Sequence, residues 1–155
     1  MKAAYRRMPL HCLWQIKQVI TFEGRRYVDR TACFGNRGSQ IIFMAFMGLA
    51  TWIAIYVCRI PHLKDYVDDT FSFELQSNRL YYEPYQCFFP AKQTHLLRLW
   101  DELGIPHDKS KQEFGTTLRI ISFVVDPNAM TVTMDTDQRR DLVDLIRTFA
   151  VPGKR

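Results

Sequence analysis

The chain is predicted to adopt an α+β fold, on three observations. Short segments alternate apolar and polar residues with the period of a half-buried strand and are separated by turn residues. Two stretches repeat apolar residues at helical spacing, Leu96, Leu99, Trp100 and Leu103, then Leu142, Leu145, Ile146 and Phe149. A third, from Ile41 to Cys58, carries no charge at all. With 155 residues, 47% hydrophobic and 24% charged, the chain has enough apolar surface for one core and is not disordered. Repeats and low-complexity linkers are absent from it.

From the N-terminus, Val19-Ile20-Thr21-Phe22 and Tyr27-Val28, joined across Glu23-Gly24-Arg25-Arg26, read as a hairpin with a glycine turn. Ser39 is a candidate N-cap for the helix that covers residues 41–58. Leu63 to Val67 and Phe71 to Leu75 form a second hairpin with Asp68 at its tip. Tyr81, Tyr82, Tyr85, Phe88 and Phe89 make an aromatic cluster poor in Lys and Arg, which favours packing over a sheet against stacking on bases. The next helix runs from Ala91 to Leu103, with Pro90 before it and Gly104 after it. Leu118 to Val125 reads as a strand that turns at Asp126-Pro127-Asn128-Ala129 and returns over Met130 to Met134. The last helix spans residues 136–150, with Asp135 or Thr136 as its cap.

Chemistry concentrates at Tyr66-Val67-Asp68-Asp69. Adjacent aspartates repel one another, and a bound cation relieves that repulsion. Mg²⁺ prefers hard oxygen ligands and completes its shell with waters and substrate phosphates, so one or two carboxylates on a tight turn suit it. Such a pair can also be a solvated turn and nothing more. Other residues have weaker claims. Cys12, Cys33, Cys58 and Cys87 show no paired spacing and are expected to be reduced thiols inside a cell. His11 beside Cys12 lacks a partner pair at zinc-site spacing, and His62, His95 and His107 read as surface or structural residues. A net charge of +5 is compatible with a phosphate-backbone partner.

Five segments in one order add a resemblance. Ala4-Tyr5-Arg6-Arg7-Met8-Pro9-Leu10, Cys33-Phe34-Gly35-Asn36-Arg37-Gly38-Ser39-Gln40 with Phe43, Tyr66-Val67-Asp68-Asp69, and Leu103 to Phe114 followed by Leu118 to Asp126 resemble successive motifs of retroelement reverse transcriptases. The resemblance covers residues 3–150 and leans to retrotransposon enzymes, because Phe34-Gly35 stands where retroviral enzymes commonly carry Gln-Gly. It implies an incomplete polymerase palm, an antiparallel sheet with helices packed on it, over residues 1–134. A primer-grip hairpin would close that palm, and the start of a thumb helix would occupy residues 135–155.

The roles it implies are specific. Asp68 and Asp69 would hold Mg²⁺ or Mn²⁺, and Lys111, with Lys109 as the alternative, would approach the pyrophosphate. Tyr5 would stack on or exclude the sugar, while Phe34, Gly35, Arg37 and Gly38 would shape the nucleotide and template pocket. The implied function is RNA-directed DNA synthesis on an RNA or DNA template-primer with dNTP, in the cytoplasm or nucleus. Departures accompany the matches. The family's first metal-binding aspartate would fall immediately before Met1 and its fingers segment earlier still; Gln40 replaces a common proline and Ser122 a common glycine. Activity is therefore not expected of this chain alone. A noncatalytic nucleic-acid-binding remnant is one alternative. Another is a small membrane protein with a helix at residues 41–58, a run near the length needed to span a bilayer. A buried helix under the sheet is preferred, since the run comes directly after the glycine loop; left uncovered, its surface would adhere to membranes or to itself.

Overall fold

The computed structural model describes residues 5–149. Two compact units divide between Gln112 and Glu113. The polymerase resemblance divides the chain elsewhere, between residues 134 and 135.

In the first unit a 3-10 turn, Tyr5–Arg7, leads to the short helix α1 (Cys12–Gln15) and to hairpin β1 (Val19–Phe22) and β2 (Arg25–Val28). Phe22 pairs with Arg25, so the turn is only Glu23-Gly24, both at positive φ, the conformation that matches the twist of the flanking strands. Gln18 fastens this hairpin to the segment after β2. Its amide donates to the Asp29 and Thr31 carbonyls (3.2 and 3.1 Å), and its carbonyl oxygen accepts from Cys33 Sγ (2.9 Å).

Helix α2 (Arg37–Trp52) continues through a π-helical turn, Ile53–Val57. Its cap is Asn36, not Ser39. Asn36 is extended and its Oδ1 accepts from Gly38 N (3.0 Å), so the helix begins earlier than a Ser39 cap would allow and Ser39 falls inside the first turn, buried. The expectation of a buried helix also needs correction. Ser39, Phe43, Met47, Ala50, Thr51 and Ala54 form one buried stripe, whereas the opposite side is open to solvent, with Ile41 63%, Leu49 59% and Trp52 52% exposed. Among the described residues this is the one helix long and apolar enough to cross a membrane.

Strands β3 (Lys64–Tyr66) and β4 (Asp69–Phe71) pair with Tyr66 opposite Asp69, and β3 packs against α2. The expected second strand is shorter than its alternating pattern, since residues 72–75 leave the ladder; Lys92 Nζ donates to the Phe73 carbonyl (2.7 Å) and lies over the Phe73 ring. Hairpin β5 (Arg79–Tyr82) and β6 (Cys87–Pro90) is joined by a 3-10 turn over Glu83–Tyr85, with Gln86 in the left-handed region. The core of this unit lies where α3 (Ala91–Glu102) covers that hairpin: Tyr82 and Phe89 meet Ala91, Leu96, Leu97, Leu99 and Trp100, all buried. Thr94 is buried without penalty because its hydroxyl reaches the Leu80 and Pro90 carbonyls (3.2 and 3.3 Å). The helix stops at Leu103, itself exposed, and Gly104 takes the left-handed conformation that such a stop favours.

The second unit contains β7 (Leu118–Ile120), β8 (Phe123–Asp126), β9 (Thr131–Met134) and α4 (Thr136–Phe149). The strand expected over residues 118–125 is two strands, folded back at Ile121-Ser122, both at positive φ. Asp126 closes the next turn by accepting from Asn128 N and Ala129 N (2.9 and 3.0 Å), and Asp135 caps α4 through Asp137 N (3.1 Å). The stripe Leu142, Leu145, Ile146 and Phe149 is exposed along its whole length.

The α+β class holds, with small antiparallel sheets and helices. In place of one antiparallel sheet there are four separate ones among the described residues, three of two strands and one of three. Alternation within a segment specifies which face is apolar, but lateral pairing between hairpins depends on contacts that no local pattern encodes.

Candidate functional site: the Asp68-Asp69 hairpin

The hairpin tip is a two-residue turn, Val67-Asp68, closed by the Tyr66 and Asp69 pair. Val67 has φ 56°, a backbone conformation ordinarily left to glycine, while Asp68 is not in the positive-φ region. A β-branched residue there is strained, at a cost of about 1–2 kcal/mol. The strain keeps Asp68, half-buried, at the apex and leaves Asp69, exposed, as the first residue of the return strand. Two carboxylates thus occupy consecutive positions at one end of a ladder that is itself packed against α2.

The loop before α2 carries the residues expected to shape a nucleotide pocket. Phe34, Gly35, Arg37 and Gly38 are all exposed. Gly35 sits at φ 84°, so its glycine is required by the backbone, whereas Gly38 has an ordinary φ and its Cβ position meets only Asn36 Oδ1 at 3.5 Å. Since α2 and β3 are packed together, this loop's helix and the aspartate hairpin are neighbours in space as well as in order. Each also holds a buried hydroxyl with no hydrogen-bond partner among the described residues, Ser39 Oγ in the first turn of α2 and Thr70 Oγ1 beside Asp69. Lys111 lies in a 3-10 turn, Lys109–Lys111, begun by Asp108, whose Oδ1 accepts from Ser110 N (3.2 Å). That turn is tied to the aromatic corner through Lys109 Nζ and the Tyr85 carbonyl (2.8 Å), and Gln112 beside it is tied to α3 through Gln93 (3.2 Å). The Tyr5 backbone opens the first 3-10 turn; the role expected of its ring, and the motif start at Ala4, lie outside the described residues.

As a metal site the hairpin is open. Among the described residues no three His, Cys, Asp or Glu side chains come together as a cation cage. Two adjacent carboxylates at the tip could supply one or two of the oxygen ligands of Mg²⁺ or Mn²⁺, with water and phosphate completing the shell.

One constellation was not foreseen from the sequence. Asp101 accepts from the Tyr82 hydroxyl at Oδ2 (2.5 Å) and from His107 Nε2 at Oδ1 (3.0 Å), which leaves Nδ1 of His107 to accept from the Tyr85 hydroxyl (2.5 Å). The His107 side chain is 7% exposed. Burial, the Asp101 hydrogen bond and the Asp101 charge hold the Tyr82 phenol well above its ordinary range; burial, then Asp108 and Asp101, raise that of Tyr85. Both stay neutral and donate, so the array pins the 83–85 turn and the loop after α3 to the end of that helix.

Compared with known proteins, the chain matches no family model, no curated protein and no solved structure.

Proposed function

We propose that this chain carries part of the palm of a reverse-transcriptase-type nucleotidyltransferase, with Asp68 and Asp69 as its metal-binding carboxylates. The observation that carries this reading is the two-residue turn holding Asp68 at its apex and Asp69 beside it, behind a glycine loop whose helix packs against the same hairpin. When bound, the metal supplies charge neutralisation at the transferring phosphoryl group. The protein's own part is positioning. The strained Val67-Asp68 turn fixes where the carboxylates stand, Phe34 and Gly35 border the base, Arg37 offers a fixed cation toward phosphate, and Lys111 stands as proton donor to the leaving group. The four small antiparallel sheets among the described residues share only the α+β class with a palm, so polymerase architecture rests on the motif resemblance.

Titration with Mn²⁺ monitored by water-proton relaxation tests the assignment. Weak saturable binding is expected, strengthened by dNTP and lost in Asp68→Asn and Asp69→Asn while circular dichroism is unchanged. Binding that survives both substitutions sinks the proposal. Primer extension by this chain alone is not expected, and Mg²⁺-dependent synthesis abolished by Asp68→Ala would extend the proposal to catalysis.

A further inference from the structure

Helix α2 is apolar on every side, yet only one side is covered. A helix of this kind is ordinarily enclosed, and one that lies on a protein surface ordinarily carries charge opposite its buried stripe. Here the side opposite Phe43, Met47, Ala50 and Ala54 is built, at helical spacing, from Ile41, Ala45, Leu49, Trp52 and Tyr56. Trp52 and Tyr56 touch, with ring centroids 5.6 Å apart, and rings with an apolar body and one polar tip suit the level of lipid headgroups. The charges on the helix and at its two ends are all positive, while the hairpin packed against it is mixed, with Lys64 beside Asp65, Asp68 and Asp69. Arg37 and Arg59 stand exposed at the two ends of the helix, Arg7 lies beside Phe46 of α2, and Lys64 is on the strand packed against it. Between Arg30 and Lys64 there is no acidic residue, and residues 1–64 hold ten Lys or Arg against Glu23 and Asp29, while the rest of the chain is net acidic.

We infer that the outer face of α2 docks in the plane of an anionic lipid bilayer, its aliphatic and aromatic ridge entering the headgroup boundary and the flanking arginines meeting lipid phosphates and carboxylates. An apolar ridge bordered by cations is the pattern that binds such interfaces. The buried stripe decides against a span: residues that pack on the protein's own core cannot also face hydrocarbon. The inference stands independently of the polymerase reading and uses none of its metal-binding residues.

Vesicle flotation of the whole chain tests it, with phosphatidylcholine vesicles with and without phosphatidylserine, because aggregates do not float. Flotation with the anionic vesicles at low salt is expected, falling about tenfold with neutral vesicles and again about tenfold in Ile41→Glu/Leu49→Glu, both surface changes that leave the core intact. Arg37→Gln/Arg59→Gln should weaken anionic binding alone, while Val132→Glu, exposed in the second unit, should float like the native chain. Three results overturn the inference: no flotation of the native chain, equal flotation of Ile41→Glu/Leu49→Glu, or association that resists carbonate extraction, which indicates a span. Light scattering that finds a dimer abolished by Ile41→Glu/Leu49→Glu, without flotation, would also overturn it and assign the face to a second copy.

Discussion

Ser39 shows how one displaced cap propagates. Because Asn36 starts the helix, the Ser39 hydroxyl is carried into the interior, 3% exposed and without a hydrogen-bond partner among the described residues, where a buried donor left unmade costs about 1–3 kcal/mol. Ser39→Ala removes that hydroxyl and adds a better helix former, so urea unfolding should show a gain of about 1 kcal/mol. A loss would mean that the hydroxyl has a partner in solution. Tyr82 and Tyr85 make the opposite case: burial first, then the nearby carboxylates, with a hydrogen bond to Asp101 added at Tyr82, raise both phenols. Their folded values lie above the ordinary 10.0, so the stability they contribute is complete below pH 10 and declines as pH rises through the folded values, because the unfolded chain gives up its phenolic protons first. Absorbance titration should show a late phase of phenol ionisation above pH 10, and Tyr82→Phe should diminish it. Absence of that late phase would contradict the geometry. Asp29 acts in acid. The Thr31 backbone N–H first, then its hydroxyl and the Arg6 guanidinium (2.7 Å), hold its carboxyl below the usual range against the smaller opposing effect of burial, so its contribution is present above pH 4 or so and is lost as pH falls further.

Among the elements, turns carry the tension. Val67 and Ile121 are β-branched residues in the left-handed region, where each costs about 1–2 kcal/mol, and glycine or asparagine would adopt the same backbone at little cost. Val67→Gly should therefore raise stability by about 1 kcal/mol without moving the strands, and Ile121→Asn/Ser122→Gly should do the same in the second unit, both read by thermal unfolding. If Val67→Gly instead weakens Mn²⁺ binding while stabilising the fold, the strain is part of how Asp68 is presented. These turns also mark what could be read in advance. Glu23-Gly24 and Asp126-Pro127-Asn128-Ala129 announce themselves by residue type; Ile121-Ser122 has no such residues, and the strand pattern runs straight through it. The tip position of Asp68 was legible because the aspartates stand between two strand-patterned segments, although the turn itself proved to be Val67-Asp68. The Tyr82, Asp101 and His107 array was not, since its members stand 19 and 6 positions apart on different elements and only the packing of α3 on its hairpin brings them together. The coverage of α2 was equally hidden: a chargeless run reads alike whether enclosed or half open, and the difference lies in what the rest of the chain supplies.

At the level of the whole molecule, the join between the two units passes through residues 113–117, without helix or strand and mostly exposed, shortly after Lys111. Such joins are opened first by proteases. Limited trypsinolysis should cut first at Lys109, Lys111 or Arg119 and leave the larger unit intact by mass spectrometry; first cleavage at Lys64 would mean that the aspartate hairpin opens more readily than the join does.

Every strand among the described residues pairs with its immediate neighbour in sequence, and none waits for a distant one. Each ladder then closes only a short loop, for which little chain entropy is lost before contacts form, and hairpins of this size form in about 1–10 μs. Folding should start independently at several places along the chain, with docking of α2 and α3 onto finished hairpins as the slow event. Substitutions at Phe43, Leu97 or Trp100 should accordingly slow refolding, whereas changes in any single turn should alter mainly the unfolding rate.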